Sequence, residues 1–137
     1  MMAGPPETTE FELVSPERLL ISEAAEMVVV PGTEGDFGAL PRHAPMITGV
    51  RPGVIDVYNG GKVTSRIFVA GGFADVSETR ITVLAEEALP VAELSLELAQ
   101  SRQSAAEAEL AAAVSEYGRR EALRRVAIAT AMRAALA

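Results

Sequence analysis

The only histidine in the chain, His43, is held between Pro41 and Pro45 and follows a glycine-rich segment that carries two acids, Glu34 and Asp36. An imidazole near carboxylates could act as a general base, orient a nucleophile or join a metal site. The chain has no cysteine and no second histidine. No acid, base and nucleophile fall together in a motif either, so no catalytic residue, no metal site and no cofactor is expected. A packed or interface histidine is the better reading of His43. Gly32, Gly35 and Gly38 recur every three residues, which could suit a phosphate cradle. The segment lacks the Gly-Lys-Ser/Thr ending of a P-loop, however, and Glu34 and Asp36 would repel phosphate. An EF-hand would need more oxygen ligands at alternating positions. From the residues alone the segment is either a solvated turn or a stiff docking loop. The remaining charged cluster is a run of arginines near the C-terminus, Arg119, Arg120, Arg124, Arg125 and Arg133. At 100° per residue these spread around a helix instead of forming one stripe. They fit a solvated surface helix or one inserted among several partners.

The elements that must carry these residues divide near Pro90. All eight prolines and ten of the eleven glycines lie at or before that position, and the 47 residues beyond it hold 15 alanines and no proline. Closely spaced turn residues indicate many short strands, whereas alanine with Glu and Arg favours helix. Phe11 to Val14, Leu19 to Val30, Gly53 to Tyr58, Lys62 to Val69 and Ile81 to Ala85 are strand candidates, and Pro31 is expected to stop the strand that begins at Met27. Asn59-Gly60-Gly61-Lys62 predicts a hairpin turn, Gly71-Gly72 a bulge or close backbone approach, and Ser77 to Arg80 another tight turn. Eight to ten such strands imply an antiparallel sandwich or flattened barrel. The second half predicts two antiparallel helices, with Leu94, Leu98, Ala105, Ala108 and Ala112 facing Val126, Ala129, Met132 and Leu136 across a break at Tyr117-Gly118. The expected class is α+β, with an antiparallel β-sandwich of about ten strands over residues 1–90 and a helical hairpin over 91–137. Small alanine side chains bury little area, so the hairpin should open more easily than the sandwich.

Composition narrows the function classes. Hydrophobic residues make up 49% of the chain, enough for a core, and the net charge of −7 disfavours general nucleic-acid binding. The acidity is local: residues 1–90 carry 13 acids against 6 bases, and residues 91–137 carry 6 of each. The absence of cysteine fits a reducing compartment. MMAGPPETTE has neither a basic n-region nor an apolar h-region, so no secretory signal is expected. No apolar run approaches the roughly 18 residues that span a bilayer. A scaffold or docking protein and a small-ligand module closed by its hairpin both fit; an isolated enzyme fits less well.

Three blocks are more specific. Pro31 to Thr48 (PGTEGDFGALPRHAPMIT), Val69 to Val76 (VAGGFADV) and Thr82 to Ala88 (TVLAEEA) resemble, in order and spacing, the signature of the epsilon subunit family of bacterial rotary ATP synthases, the counterpart of the mitochondrial delta subunit. The resemblance runs from about Glu10 to the end and is strongest over the first ninety residues. It implies a ten-stranded β-sandwich and a non-catalytic rotor subunit of the central stalk, which couples rotation of a proton-driven c-ring to gamma and the catalytic head. By residue correspondence it places Ser15, His43 and Thr48 against gamma, and Asp36, with Glu34 as its neighbour, against the polar loops of the c-ring. It implies helices able to extend into the alpha/beta head and inhibit ATP hydrolysis through basic residues, here the five arginines. Relatives that bind ATP in the hairpin carry I-D-x-x-R-A, which Val91 to Leu96 does not match, so ATP is not the expected switch. The implied location is the cytoplasmic face of the bacterial inner membrane, reached only through the complex.

Overall fold

In a computed structural model that describes residues 7–137, ten strands precede two helices. The strands are β1 (Thr9–Ser15), β2 (Arg18–Ala25), β3 (Met27–Gly32), β4 (Gly35–Ala39), β5 (Met46–Val50), β6 (Gly53–Asn59), β7 (Lys62–Val69), β8 (Gly72–Val76), β9 (Arg80–Ala85) and β10 (Ala88–Pro90). A single 3₁₀ turn, Val91–Glu93, leads to α1 (Leu96–Ala112) and α2 (Glu116–Ala135).

The strands form one sheet in the order β10-β7-β6-β3-β5-β8-β9-β1-β2, with β4 paired to β3. Between β3 and β5 only Gly32 and Val50 pair, and there the sheet turns back on itself into two layers. Alternate residues from both layers fill the space between them, among them Phe11, Leu13, Val28, Val30, Ile55, Val57, Ile67, Val69, Ala74, Val76, Ile81 and Val83, all buried. This is the inward-facing half of the period-2 pattern, and its burial is the main stabilising term of the sandwich.

The turn chemistry acts where the residues foretold it. Gly60 and Gly61 have φ of 64° and 74°, the two left-handed positions of a primed two-residue hairpin. Gly72 has φ of 145°, and a Cβ there would lie 1.9 Å from the Leu84 carbonyl oxygen, so β8 and β9 approach closely at this point. Ser77 Oγ accepts from the Arg80 N–H at 3.1 Å and closes the β8–β9 turn.

The expected class holds, a ten-stranded and mainly antiparallel sandwich before two helices, in which one pair departs: β1 runs parallel to β9, Phe11 opposite Ile81. A parallel pair needs a long crossover, and the intervening strands provide it. Three finer expectations are corrected. Pro31 does not end its strand. It pairs with Asp36 inside β3–β4, because proline lacks only a donor, and its carbonyl accepts the Arg51 N–H at 2.9 Å. The break between the helices lies at Ala113 to Ser115 and not at Tyr117-Gly118. Ser115 caps α2 by accepting the Gly118 N–H at 3.0 Å, which puts that glycine in the first turn. The helix faces also differ. Leu94, Ala129 and Met132 are buried as expected, but Ala105, Ala108, Ala112 and Leu136 are exposed, and Ala99, Ala106, Ala122 and Ile128 are buried in their place.

The hairpin lies on the outer face of the β10-β7-β6 layer. There Phe68, which points away from the sandwich core, is buried in a second cluster with Ala70, Leu94, Ala99, Ile128 and Met132. Among the described residues, no helix lies over the outer face of the other layer, β5-β8-β9-β1-β2.

Candidate docking surfaces

On that bare layer, strand register sorts the outward side chains into rows. Phe73 lies opposite Leu84, Leu84 opposite Val14, and Val14 opposite Leu19. The row crosses four strands, and Phe73, Leu84 and Leu19 are 62%, 52% and 56% exposed. Two residues along, the next row reads Ile47, Asp75, Thr82, Glu12 and Ser22, polar except for Ile47. Beyond it Arg80 pairs with Glu12 at 3.2 Å. The face is therefore a contiguous apolar band beside a charged one. Such a surface suits a protein partner: the band supplies buried area and the charges fix register.

The apolar band ends at the tip of the β3–β4 hairpin. Thr33 donates its N–H to the Gly49 carbonyl at 2.9 Å and lies over Gly49, which pairs with Phe73. The tip is braced by Arg51, whose Nη1 donates to the Gly32 carbonyl at 2.6 Å and whose Nη2 bonds the Asp36 carboxylate. Asp36 is thus a positioned and half-neutralised acid, whereas Glu34 is exposed at the apex and makes no ion pair among the described residues. A rigid tip with one free carboxylate can meet a polar partner loop at little entropic cost.

The residues singled out from the sequence do not form one cluster. Ser15 ends β1 beside the apolar row, next to Leu84 and Phe73. His43 is at the opposite end of the face, in the β4–β5 connection. Its Nδ1 is 2.7 Å from the Ala44 carbonyl, its ring is 6.3 Å from that of Phe37, and the neighbouring Arg42 N–H bonds the Glu78 carbonyl at 2.7 Å. The two ends are separated by the length of β9, about 17 Å at the usual rise per residue. Thr48, opposite Ala74, shares the inward side of β5 with Met46 and Val50 and is partly buried. Sequence reasoning missed Val14, Leu19, Phe73 and Leu84, as well as Arg51. The available signal was an apolar residue at the wrong parity, such as Leu84 between Val83 and Ala85, where one-sided burial would have placed a polar one.

A third feature lies between hairpin and sandwich, a cavity of about 300 Å³ lined by Ala70, Ala106, Ile128 and charged groups. Arg102 of α1 grips Glu87 with two bonds, 2.7 and 2.5 Å. Arg124 of α2 reaches Glu86 at 2.5 Å, and Arg125 pairs with Glu109 of α1 at 2.8 Å. The hydrogen bonds from Arg102 hold the Glu87 carboxyl below its ordinary range against the opposing effect of burial, and they raise the guanidinium in turn. Of the other C-terminal arginines, Arg133 donates from Nη1 to the Gln103 side-chain Oε1 at 2.9 Å, and Arg119 and Arg120 are exposed. No helix among the described residues is long and apolar enough to cross a membrane.

The chain is similar to known proteins in sequence and in fold. Residues 8–91 match the family described as ATP synthase, Delta/Epsilon chain, beta-sandwich domain. The chain is 64% identical over 129 residues to the ATP synthase epsilon chain of Rhodospirillum rubrum, covering 94% of this chain and 96% of that protein. It is 60% identical over 131 residues to the ATP synthase epsilon chain of Paramagnetospirillum magneticum, covering 96% and 98%. Among solved structures, it is similar to a chain in the Euglena gracilis mitochondrial ATP synthase OSCP/F1/c-ring assembly. The TM-score there is 0.80 at 25% identity, over 98% of this chain and 85% of that one.

Proposed function

The chain belongs to the ATP synthase delta/epsilon family, and on that premise we propose that its bare sheet face clamps gamma while its β3–β4 tip meets the c-ring. It is a non-catalytic subunit of the central stalk, the rotor of an ATP synthase, and a peripheral part of that membrane complex. The observation that carries the proposed clamp is the difference in cover between the two outer faces. One has its apolar residues under helices; the other leaves the band from Leu19 to Phe73 open. In this reading Phe73 and Leu84 provide the buried centre of the contact, with Ser15 and His43 at its two ends. Thr48 takes part along the open edge of β5. Glu34 reaches the polar loops of the ring, with Asp36 fixed behind it by Arg51. Rotation of a proton-driven ring would then pass to gamma through a stiff sandwich, at the cytoplasmic face of a bacterial inner membrane.

Pull-down with purified gamma tests the clamp. Burying a new carboxylate without a partner is costly. Phe73→Glu and Leu84→Glu should each weaken binding at least about a hundredfold, the scale of an interface hot spot. His43→Glu should weaken it less. Wild-type affinity in both sheet variants would remove this face from the interface. For the ring contact, a cysteine at Glu34 should cross-link to cysteines in the polar loops of the ring in assembled complex, against a background with no native cysteine. A complete absence of cross-links in intact complex would displace the tip from the ring.

Residues 91–137 are proposed as a separable regulatory hairpin. Released from the sandwich, it would present Arg119, Arg120, Arg124, Arg125 and Arg133 to the acidic surface of the catalytic head and inhibit hydrolysis.

A further inference from the structure

We propose that the adjacent carboxylates Glu86 and Glu87 form an ionic latch, one tooth for each helix, which holds the hairpin on the sandwich and is released by salt. The two acids occupy the link between β9 and β10, and their backbone is fixed to the neighbouring strand connection. The Glu86 N–H donates to the Gly71 carbonyl at 3.0 Å, and the Glu87 carbonyl accepts the Ala70 N–H at 2.9 Å. Their side chains therefore project from an anchored support. Glu87 takes Arg102 from α1 in a two-bond grip, and Glu86 takes Arg124 from α2.

The apolar side of the contact is uneven along the hairpin. Its larger members, Phe68, Leu94, Ile128 and Met132, gather around the segment where the chain leaves the sheet. Around the cavity the helices offer mainly alanine, Ala105 and Ala106, besides Ile128. Alanine buries little area, so in this stretch attachment depends more on the charges. The hairpin is thus anchored near Pro90 to Ser95 by apolar packing and fastened farther out by ion pairs. The carboxylates also neutralise two of the arginines lining the cavity, and Glu109 neutralises a third, Arg125. The cationic lining is satisfied from within the chain, with no external anion required.

Each of the two pairs that join a helix to the sandwich is solvent-accessible, so their combined effect is a modest bias, about three- to tenfold in the opening equilibrium. Salt screens such pairs, since the Debye length falls from about 20 Å near 20 mM to about 4 Å near 0.5 M.

Hydrogen exchange of the full chain reads docking directly, whether or not the released hairpin inhibits hydrolysis. From about 20 mM to 0.5 M NaCl, helix amides of the wild type should exchange three- to tenfold faster, while core amides of β1 and β9 keep their rates. The Glu86→Gln/Glu87→Gln variant should be fast at low salt already and respond little to more. Exchanging the partners, Glu87→Arg with Arg102→Glu, should restore part of the low-salt protection that Glu87→Arg alone loses. Equal helix protection in wild type and the double glutamine variant at low salt, or the same salt response in both, would overturn the latch.

Discussion

Phe68 and Phe73 are five residues apart, and each points outward from the sandwich, but on opposite layers. Phe68, on β7, is fully buried beneath the hairpin; Phe73, on β8, is 62% exposed. The difference shows how one fold separates cohesion from recognition. Where the chain supplies its own cover, an outward aromatic ring is part of its stability. Where it does not, the same residue type is apolar area held ready for another molecule. Burial of the inner faces would have formed the sandwich in either case.

Truncating the two rings would sharpen this contrast most. Phe68→Ala should destabilise the chain by about 3–5 kcal/mol, the usual cost for a buried phenylalanine. Part of that loss should appear as undocking of the helices. Phe73→Ala should alter monomer stability by no more than about 0.5 kcal/mol, as exposed positions do. Chemical denaturation of both variants measures the difference, and equal losses would break the comparison.

Much of the scaffold was legible in the sequence. Asn59-Gly60-Gly61 and Ser77 to Arg80 announced their turns, because few other residues tolerate those backbone angles or bonds. The helices were evident from alanine without proline. Their faces were not, because alanine on every side carries no hydrophobic period; burial was then decided by where Phe68 and Ala70 happened to lie. Gly118 was misread as a breaker since its partner, the Ser115 cap, depends on local geometry that composition does not reveal. The bare face was hidden for a different reason. Leu84 and Phe73 look like ordinary strand residues until register shows that they share one outward row. Arg51 was missed because the acid it braces lies 15 residues earlier in the chain. Ser15, His43 and Asp36 came from the family resemblance, which names positions but not the arrangement that joins or separates them.

Removing the hairpin is the next most severe test. A chain ending at Pro90 keeps every strand of the inner core, so it should remain folded and bind gamma with near-native affinity. It also uncovers Phe68, Ala70 and Leu89, so its unfolding midpoint should fall and its tendency to associate should rise. Adding Phe68→Ser to the truncated chain should relieve the association. If the hairpin inhibits, complex assembled with the truncated chain should hydrolyse ATP faster than the intact complex. Loss of gamma binding on truncation, with the strands still folded by circular dichroism, would mean that the two faces are not independent.

The smallest effect belongs to Glu87, and its sign can be set in advance. Its folded pKa is lowered from the ordinary 4.5, first by the hydrogen bonds from Arg102 and then by that cation's charge, with burial opposing. A lowered folded pKa means that the unfolded or undocked chain binds the proton more readily. The carboxylate therefore adds stability above about pH 4.5, and that contribution disappears as pH falls through the still lower folded value. The groups facing it across the cavity are Arg102, Glu109 and Arg124, Arg125 on the two helices, and Glu86 beside it. Arginines do not titrate in this window. The useful quantity is the difference between wild type and Glu87→Gln. It should be level from about pH 9 to pH 5, amount to no more than about 1 kcal/mol for so accessible a pair, and shrink towards zero below pH 4. Urea unfolding at each pH measures it. A difference that instead grows on acidification would mean that Glu87 is held in its neutral form, and the two-bond grip of Arg102 would then not be what fastens α1.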